Sequence, residues 1–335
     1  MNKLACIFFV GLMSLMSFAE PTVTDVVAKQ RYPWNGLVDI TCKVEGMTET
    51  TKVFEFFVSA IVSDLGITNR LSNFWIIKDG VKSSDRVVGA NGNYRLLWDA
   101  KADLGEVRCT NMIVRVALIV WHDKVQLWEG GPYWATTNIG AEKPEDYGYY
   151  FWWGDTVGYK RENNKWVASD GSNSNFSFSE NNAPTYNKSH STLQGEGWIT
   201  SEGVLAPEHD AARKHWGGDW RMPTDAEFDT LINNCDWTWT NQNGVYGYIV
   251  RGRGRYAFNS IFIPATNSGD GTSFSGDEKE WQGRYAVGHY WSSAPVNNSE
   301  YKTTWYLLFS SQDYNRSGWH RDFGFTIRPI IGFTK

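Results

Sequence analysis

Residues 217–250, GGDWRMPTDAEFDTLINNCDWTWTNQNGVYGYIV, decide how this chain is read. Thr224 with Glu227 three residues later is a capping box, in which the two ends of a first helical turn exchange hydrogen bonds. Phe228, Leu231 and Ile232 follow at helical spacing, so the segment TDAEFDTLINNC is predicted as a helix beginning at Thr224. Pro223 stands directly before it. A second, shorter helix is predicted over EHDAARKHWG, residues 208–217. From Pro132 onward the rest reads as hairpins carried on those few helices, with brief strands parted by Gly, Asn and Ser. The stretch from Arg161 to Thr192 is polar and weakly periodic, and is expected to be a surface insertion loop.

Working outward, the composition demands an aromatic core. The 335 residues suit two domains and include 18 Trp, 16 Tyr and 18 Phe. So many rings cannot all lie on the surface, and Trp134, Trp152, Trp153, Trp220, Trp237 and Trp239 are assigned to the interior that short strands alone cannot supply. Arg221 and Arg328 are expected to tie loops to carbonyl groups as buried or half-buried donors. Trp134, Trp220, Arg221, Pro223 and Arg328 form the structural set. The charges, 32 basic against 37 acidic, gather into no stripe. A nucleic-acid partner is therefore disfavoured.

Residues 20–121 follow a different grammar. TVTDVVAKQ, LVDITCKV, KVFEFFVSA, NFWIIKDG, NYRLLWDA and MIVRVALIV alternate apolar and polar residues between turn signals, the pattern of an all-β sandwich, with Trp98 in its core. Residues 1–19 carry Lys3, an apolar run and Ser17-Phe18-Ala19, which reads as a signal peptide cut after Ala19. The run is shorter than the roughly 20 residues a bilayer requires. The expected product is secreted, periplasmic or at the cell surface, with no membrane insertion. Three cysteines then remain, Cys42, Cys109 and Cys235. Cys42 and Cys109 are candidates for a bond; odd parity and the inward face Met112, Val114, Val116, Leu118 favour buried free thiols instead.

Several blocks in order carry a family likeness: PYWATTNIGAEKPEDYGYYFWWGDT, the stretch quoted above, NSIFIPA, HYWSSAP and GFTIRPI. Over residues 125–331 the chain resembles the Fibrobacter succinogenes major paralogous domain family, which is similar to the formylglycine-generating-enzyme branch of the C-type-lectin-like fold. The first domain resembles the immunoglobulin-like modules that precede such domains in secreted bacterial proteins. The resemblance implies an immunoglobulin-like sandwich at 20–121, followed at 122–335 by an α+β, loop-rich C-type-lectin-like domain.

The likeness does not extend to the enzyme's chemistry. A formylglycine-generating oxidase uses a cysteine pair near its C-terminal end, and no cysteine follows Cys235. Glu208, His209, Asp210 and His215 have ligand character, but the six-residue gap between the histidines departs from the i, i+4 spacing of H-E-x-x-H, and a solvated helix face is the plainer reading. No catalytic or metal-ligating residue is assigned, and no cofactor beyond a calcium option in the oxygen-rich stretch Asn267–Trp281, whose spacing is not that of an EF-hand.

The closing stretch is where recognition is expected. KTTWYLLFSS and FGFTIRPI are predicted strands, and Asn297, Asn298, Tyr301, Asp313, Tyr314, Asn315, Trp319, His320 and Arg321 are placed in loops between and before them. Rigid amphipathic rings beside short polar groups suit a protein ligand or the faces and hydroxyls of a glycan. The stretch also resembles the variable region of retroelement-diversified proteins. The expectation is a non-catalytic module binding an extracellular glycan or protein, with a structural or surface-assembly component lacking a ligand as the alternative and an oxidase last.

Overall fold

The computed structural model describes residues 21–31, 35–47, 54–62, 67–84, 86–105, 112–120, 122–172, 177–275, 285–297 and 302–333. Residues 1–19 and Cys109 lie outside these. The chain is mostly β, with 46% strand and 12% helix, and divides into two compact units between residues 121 and 122. No helix among the described residues is long and apolar enough to cross a membrane.

The first unit contains β1 (Thr22–Gln30), β2 (Leu37–Glu45), β3 (Phe54–Val62), β4 (Ile67–Arg70), β5 (Phe74–Lys78), β6 (Val81–Ser83), β7 (Val87–Val88), β8 (Gly92–Asp99), helix α1 (Ala100–Leu104) and β9 (Met112–Val120). One antiparallel sheet runs β1-β2-β8-β5-β6; in the other, β3 pairs with β9 along its length and with β4 and β7 on its opposite edge. Alternation along β2 sends Val38, Ile40, Cys42 and Val44 inward, where they meet Phe56, Val58, Leu96 and Trp98 in one core. The indole of Trp98 donates to Asp103 (2.8 Å), whose carboxylate also receives the backbone N–H groups of Ser72 and Asn73. The thiol of Cys42 is buried and free.

The second unit opens with β10 (Lys124–Gln126), β11 (Tyr133–Ala135), β12 (Tyr159–Glu162) and β13 (Lys165–Ala168), followed by α2 (His190–Gly195), α3 (Ala211–Trp216), β14 (Trp220–Arg221) and α4 (Asp225–Asn234). Then come β15 (Asp236–Gln242), β16 (Val245–Arg251), β17 (Ser260–Pro264), β18 (Gly269–Asp270), β19 (Ser273–Phe274), β20 (Gly288–Pro295), β21 (Thr303–Phe309), β22 (Tyr314–His320) and β23 (Ile330–Ile331). Two-residue turns with both central φ angles positive close the hairpins β12–β13 at Asn163-Asn164 and β15–β16 at Asn243-Gly244, as the twist of paired strands requires. The sheets β15-β16-β17 and β20-β21-β22 enclose a core with α4. β23 lies between β11 and β14, so the end of the unit is stitched to its beginning.

The capping box forms as the sequence predicts: Thr224 Oγ1 accepts from Glu227 N–H, and the Glu227 carboxylate accepts from Thr224 N–H (3.0 Å). The same carboxylate takes both terminal nitrogens of Arg221, at 2.8 and 2.6 Å, in a buried pair.

Three expectations are corrected. The supposed insertion loop is partly internal, because it forms β12–β13 and sends Trp166, Phe178 and Thr185 into the interior. Residues 314–320 are a strand, not a loop: β22 pairs with β21 from Phe309↔Tyr314 to Thr303↔His320. Conversely, GFTIRPI is not one strand. Gly324, Phe325 and Thr326 make isolated bridges to three different partners, and Pro329 lacks the N–H that would continue a ladder. Regular pairing resumes only at β23.

What holds that irregular segment is Arg328, fully buried. It donates to Asn138 Oδ1 (2.7 Å), Ala135 O (3.0 Å) and Phe262 O (3.0 Å), joining three segments far apart in sequence. Burial lowers its guanidinium to about 10, still charged at neutral pH. Arg328→Lys would leave at least one of these acceptors unpaired, for about 3 kcal/mol lost. Calorimetry should show the transition of the second unit lowered by roughly 6–12 °C.

His289, on β20, is wedged between Tyr306 (5.7 Å between centroids) and Phe325 (4.8 Å). Burial pulls its ring down to about 4 from an ordinary 6.5. The folded state therefore resists binding a proton that the unfolded chain accepts, and stability is full above pH 6.5 and falls as the pH drops toward 4. The loss amounts to about 3 kcal/mol over that window. Urea unfolding of His289→Gln at a series of pH values should show a correspondingly shallower acid slope than the parent chain.

Candidate functional site

The structure divides the residues expected to bind. Alternation along β22 puts Asn315, Ser317 and Trp319 on one face and Tyr314, Arg316 and His320 on the other. Tyr314 is half-buried, stacked on Trp237 at 4.6 Å. Asp313, in the turn before β22, accepts from Ser310 Oγ (2.9 Å). Asn297 stands apart, on the rim of a groove of about 960 Å³. Asn298 and Tyr301 lie outside the described residues.

Arg321 is a correction. It is buried, not displayed, and donates to Thr185 O (3.1 Å), Lys188 O (3.0 Å) and Thr303 O (3.1 Å) while lying over Trp153. Burial lowers it to about 10. An arginine at a strand end looks like surface until the carbonyls it serves are known, and those come from distant segments.

Two expected residues do come together, with others the sequence did not single out. Trp319 is 42% exposed, the most exposed indole among the described residues. Its ring meets Phe323 edge to face at 5.6 Å and lies 6.2 Å from His320. Tyr186 approaches His320 at 6.2 Å, and the ammonium of Lys302 sits over Tyr186 at 4.6 Å while donating to Asn187 Oδ1 (2.5 Å). Glu180 accepts a hydrogen bond from the Tyr186 hydroxyl. Asp322 completes the surface: its Oδ1 is buried without a hydrogen-bond partner. Its carboxyl is held above the ordinary 3.8, first by burial and further by Glu180 and Asp270, with a hydrogen bond from its own backbone N–H and the charge of His320 opposing.

This end of β22 thus offers an exposed indole, an exposed imidazole, an ammonium, an amide and a half-buried carboxylate. The signal missed in the sequence was PTYNK, residues 184–188, whose Tyr and Asn resemble the closing stretch in composition but sit in a segment read as an insertion.

The other candidates resolve differently. His209 stacks on Trp198 at 3.9 Å, whereas His215 faces Thr156 O at 2.8 Å, so the two are engaged separately. Asp210 is not solvated: it is the buried cap of α3 and accepts from Ala212, Arg213 and Met222 N–H. Among the described residues no group of three or more His, Cys, Asp or Glu is arranged to hold a metal ion. Of the calcium option, Asn267 spends its side-chain oxygen on Val287 N–H, and residues 276–284 lie outside the described chain. Cys235 is buried and its thiol is pushed up to about 12, which leaves no thiolate for nucleophilic work at neutral pH.

Compared with protein-family models, curated proteins and solved structures, the chain matches none.

The charges around Asp322 can be tested directly. In carbon-detected NMR its carboxyl should titrate with a midpoint above 3.8; Glu180→Gln and Asp270→Asn should each lower that midpoint, and His320→Gln should raise it. A midpoint at the ordinary value in all four proteins would mean that the carboxyl faces open water.

Proposed function

We propose that this chain is an exported, non-catalytic binding module that recognises a glycan at the end of β22. The observation that carries the reading is an exposed Trp319 in one surface with the half-buried carboxylate of Asp322. A sugar ring has an apolar face of C–H groups that stacks on an indole and hydroxyls that donate to a carboxylate and accept from an ammonium or amide. Lys302, Asn187 and His320 supply those polar partners.

Export, the immunoglobulin-like reading of residues 20–121 and the C-type-lectin-like reading of 122–335 belong to the same proposal, as does membership of the Fibrobacter succinogenes major paralogous domain family. Two facing sheets around Trp98 support the first domain's reading. The capped helix behind RMPTDAEF and the closure of β23 between β11 and β14 support the second. The high thiol of Cys235 supports a binding role over an oxidase.

The test is a glycan array probed with the chain and with Trp319→Ala and Asp322→Asn, each checked for folding by circular dichroism. A defined glycan should bind, and each substitution should weaken it at least about tenfold. Binding should also fall as the pH drops through the raised midpoint of Asp322, because the protonated acid loses an acceptor; Asp322→Asn should lack that dependence. Equal signals from the parent and Trp319→Ala, or silence from all three proteins, would sink the glycan reading.

A further inference from the structure

The groove of about 960 Å³ that Asn297 borders shares no lining residue with the end of β22. Its buried side is stitched from three segments: Leu205 N–H donates to Ser293 O (2.9 Å), and Ser293 N–H to Pro223 O (2.8 Å). A turn over residues 200–203, closed by Gly203 N–H to Thr200 O (3.0 Å), also lines it, as does Ala226 in the first turn of α4. Val204, Leu205, Pro207, Met222, Pro295 and Phe333 make much of the lining apolar. A concave site of this size, apolar with a few polar groups, suits a small organic ligand.

The polar groups narrow its chemistry. The carboxylates of the groove are committed: Asp210 accepts from the N–H groups of Ala212, Arg213 and Met222, Asp225 takes Arg316, and Glu202 accepts from the hydroxyls of Thr200 and Ser201. Donors are left over. Arg221, 8% exposed, spends four of its five N–H groups on Met222 O, the Glu227 carboxylate and Gly332 O, and its Nε is buried with no partner. His190 Nδ1, a ring nitrogen that donates in the matching tautomer, is likewise buried and unpartnered. Arg213 adds a half-buried guanidinium set 3.9 Å from Asp219.

We propose that this groove binds a small apolar carboxylate, its hydrocarbon part against the apolar lining and its oxygens accepting from the donors left over. A carboxylate only accepts, and its charge-assisted bonds to a guanidinium are of the strong kind. A bare anion would leave the apolar lining wet, and a dianion such as phosphate would meet Glu202 and Asp225, which also line the groove. The same head group ends a free fatty acid and the C-terminus of a peptide. None of the groups proposed to hold a glycan is used, so the groove stands or falls without that reading.

Isothermal titration calorimetry of the full chain with sodium octanoate and with an acetylated leucine tripeptide should show at least one binding below about 1 mM. The corresponding amide should bind at least about tenfold more weakly, having lost the charge. Binding of octanoate alone assigns the groove to fatty acids, and binding of the tripeptide alone to peptide C-termini. His190→Phe keeps the ring without its nitrogens, and Arg213→Gln removes the accessible cation; each should weaken the bound acid at least about threefold. Ala226→Trp, at an exposed position of the lining, should obstruct binding while circular dichroism stays unchanged. Silence from both acids up to about 5 mM, amides that match their acids, or affinity indifferent to all three substitutions would overturn the proposal.

Discussion

The second unit depends on buried guanidinium groups that stand in for regular strand pairing. Its strands are short and its connections irregular, so many interior carbonyls have no ladder partner. An arginine brings five N–H donors in a rigid fork and can serve several carbonyls at once. Arg328 serves two segments, at residues 135–138 and at Phe262, and Arg321 two more, at residues 185–188 and at Thr303. The named acceptors are carbonyl and amide oxygens, so the charge is balanced by dipoles, and burial draws both groups down to about 10 without discharging them. Arg221 differs in meeting a carboxylate, Glu227, which also caps α4. One carboxylate therefore fixes both the start of the helix and the strand before it.

Tryptophan supplies the second half of this construction. Trp153 donates to Ser292 O, Trp291 to Phe151 O and Trp152 to Asp322 O, each near 3 Å, so rings that fill the core also satisfy backbone oxygens. The bond from Trp152 reaches the candidate site itself. Residue 321 is pinned inside by its guanidinium and residue 322 by its carbonyl, while residues 319 and 320 face out. The proposed recognition surface is the outer side of a locked piece of core, which would hold its groups in place before a ligand arrives.

Local chemistry was legible in the sequence and long-range pairing was not. Thr224, Glu227 and the apolar triplet behind them define α4 from within one dozen residues. The burial of Trp134 and Trp220 followed from having too many rings for the surface, and that of Arg328 from the expectation that it ties loops to carbonyl groups. β22 was hidden because its alternating residues are polar on both faces, and only pairing with β21 makes them a strand. Arg321 and Tyr186 were misplaced for the same reason: a polar side chain next to a polar stretch reads as surface, and what buries it lies more than a hundred residues away.

The two kinds of element are physically linked. β22 is the outer strand of its sheet, an exposed edge that would invite further pairing. Arg316 on that strand bridges to Asp225 (3.0 Å) and Asp229 (3.1 Å), both on α4. Asp225 opens the first turn of α4 and Asp229 lies one turn on, so a single guanidinium spans one face of the helix. The helix that the sequence announces thus fastens the strand that it conceals. Since the face of β22 bearing Arg316 is committed to α4, the outward display falls to Asn315 and Trp319 on the opposite face and to His320 at the strand's end. A strand with period two cannot offer all its residues to one ligand, so the proposed recognition surface draws also on Asn187 and Lys302 from other segments.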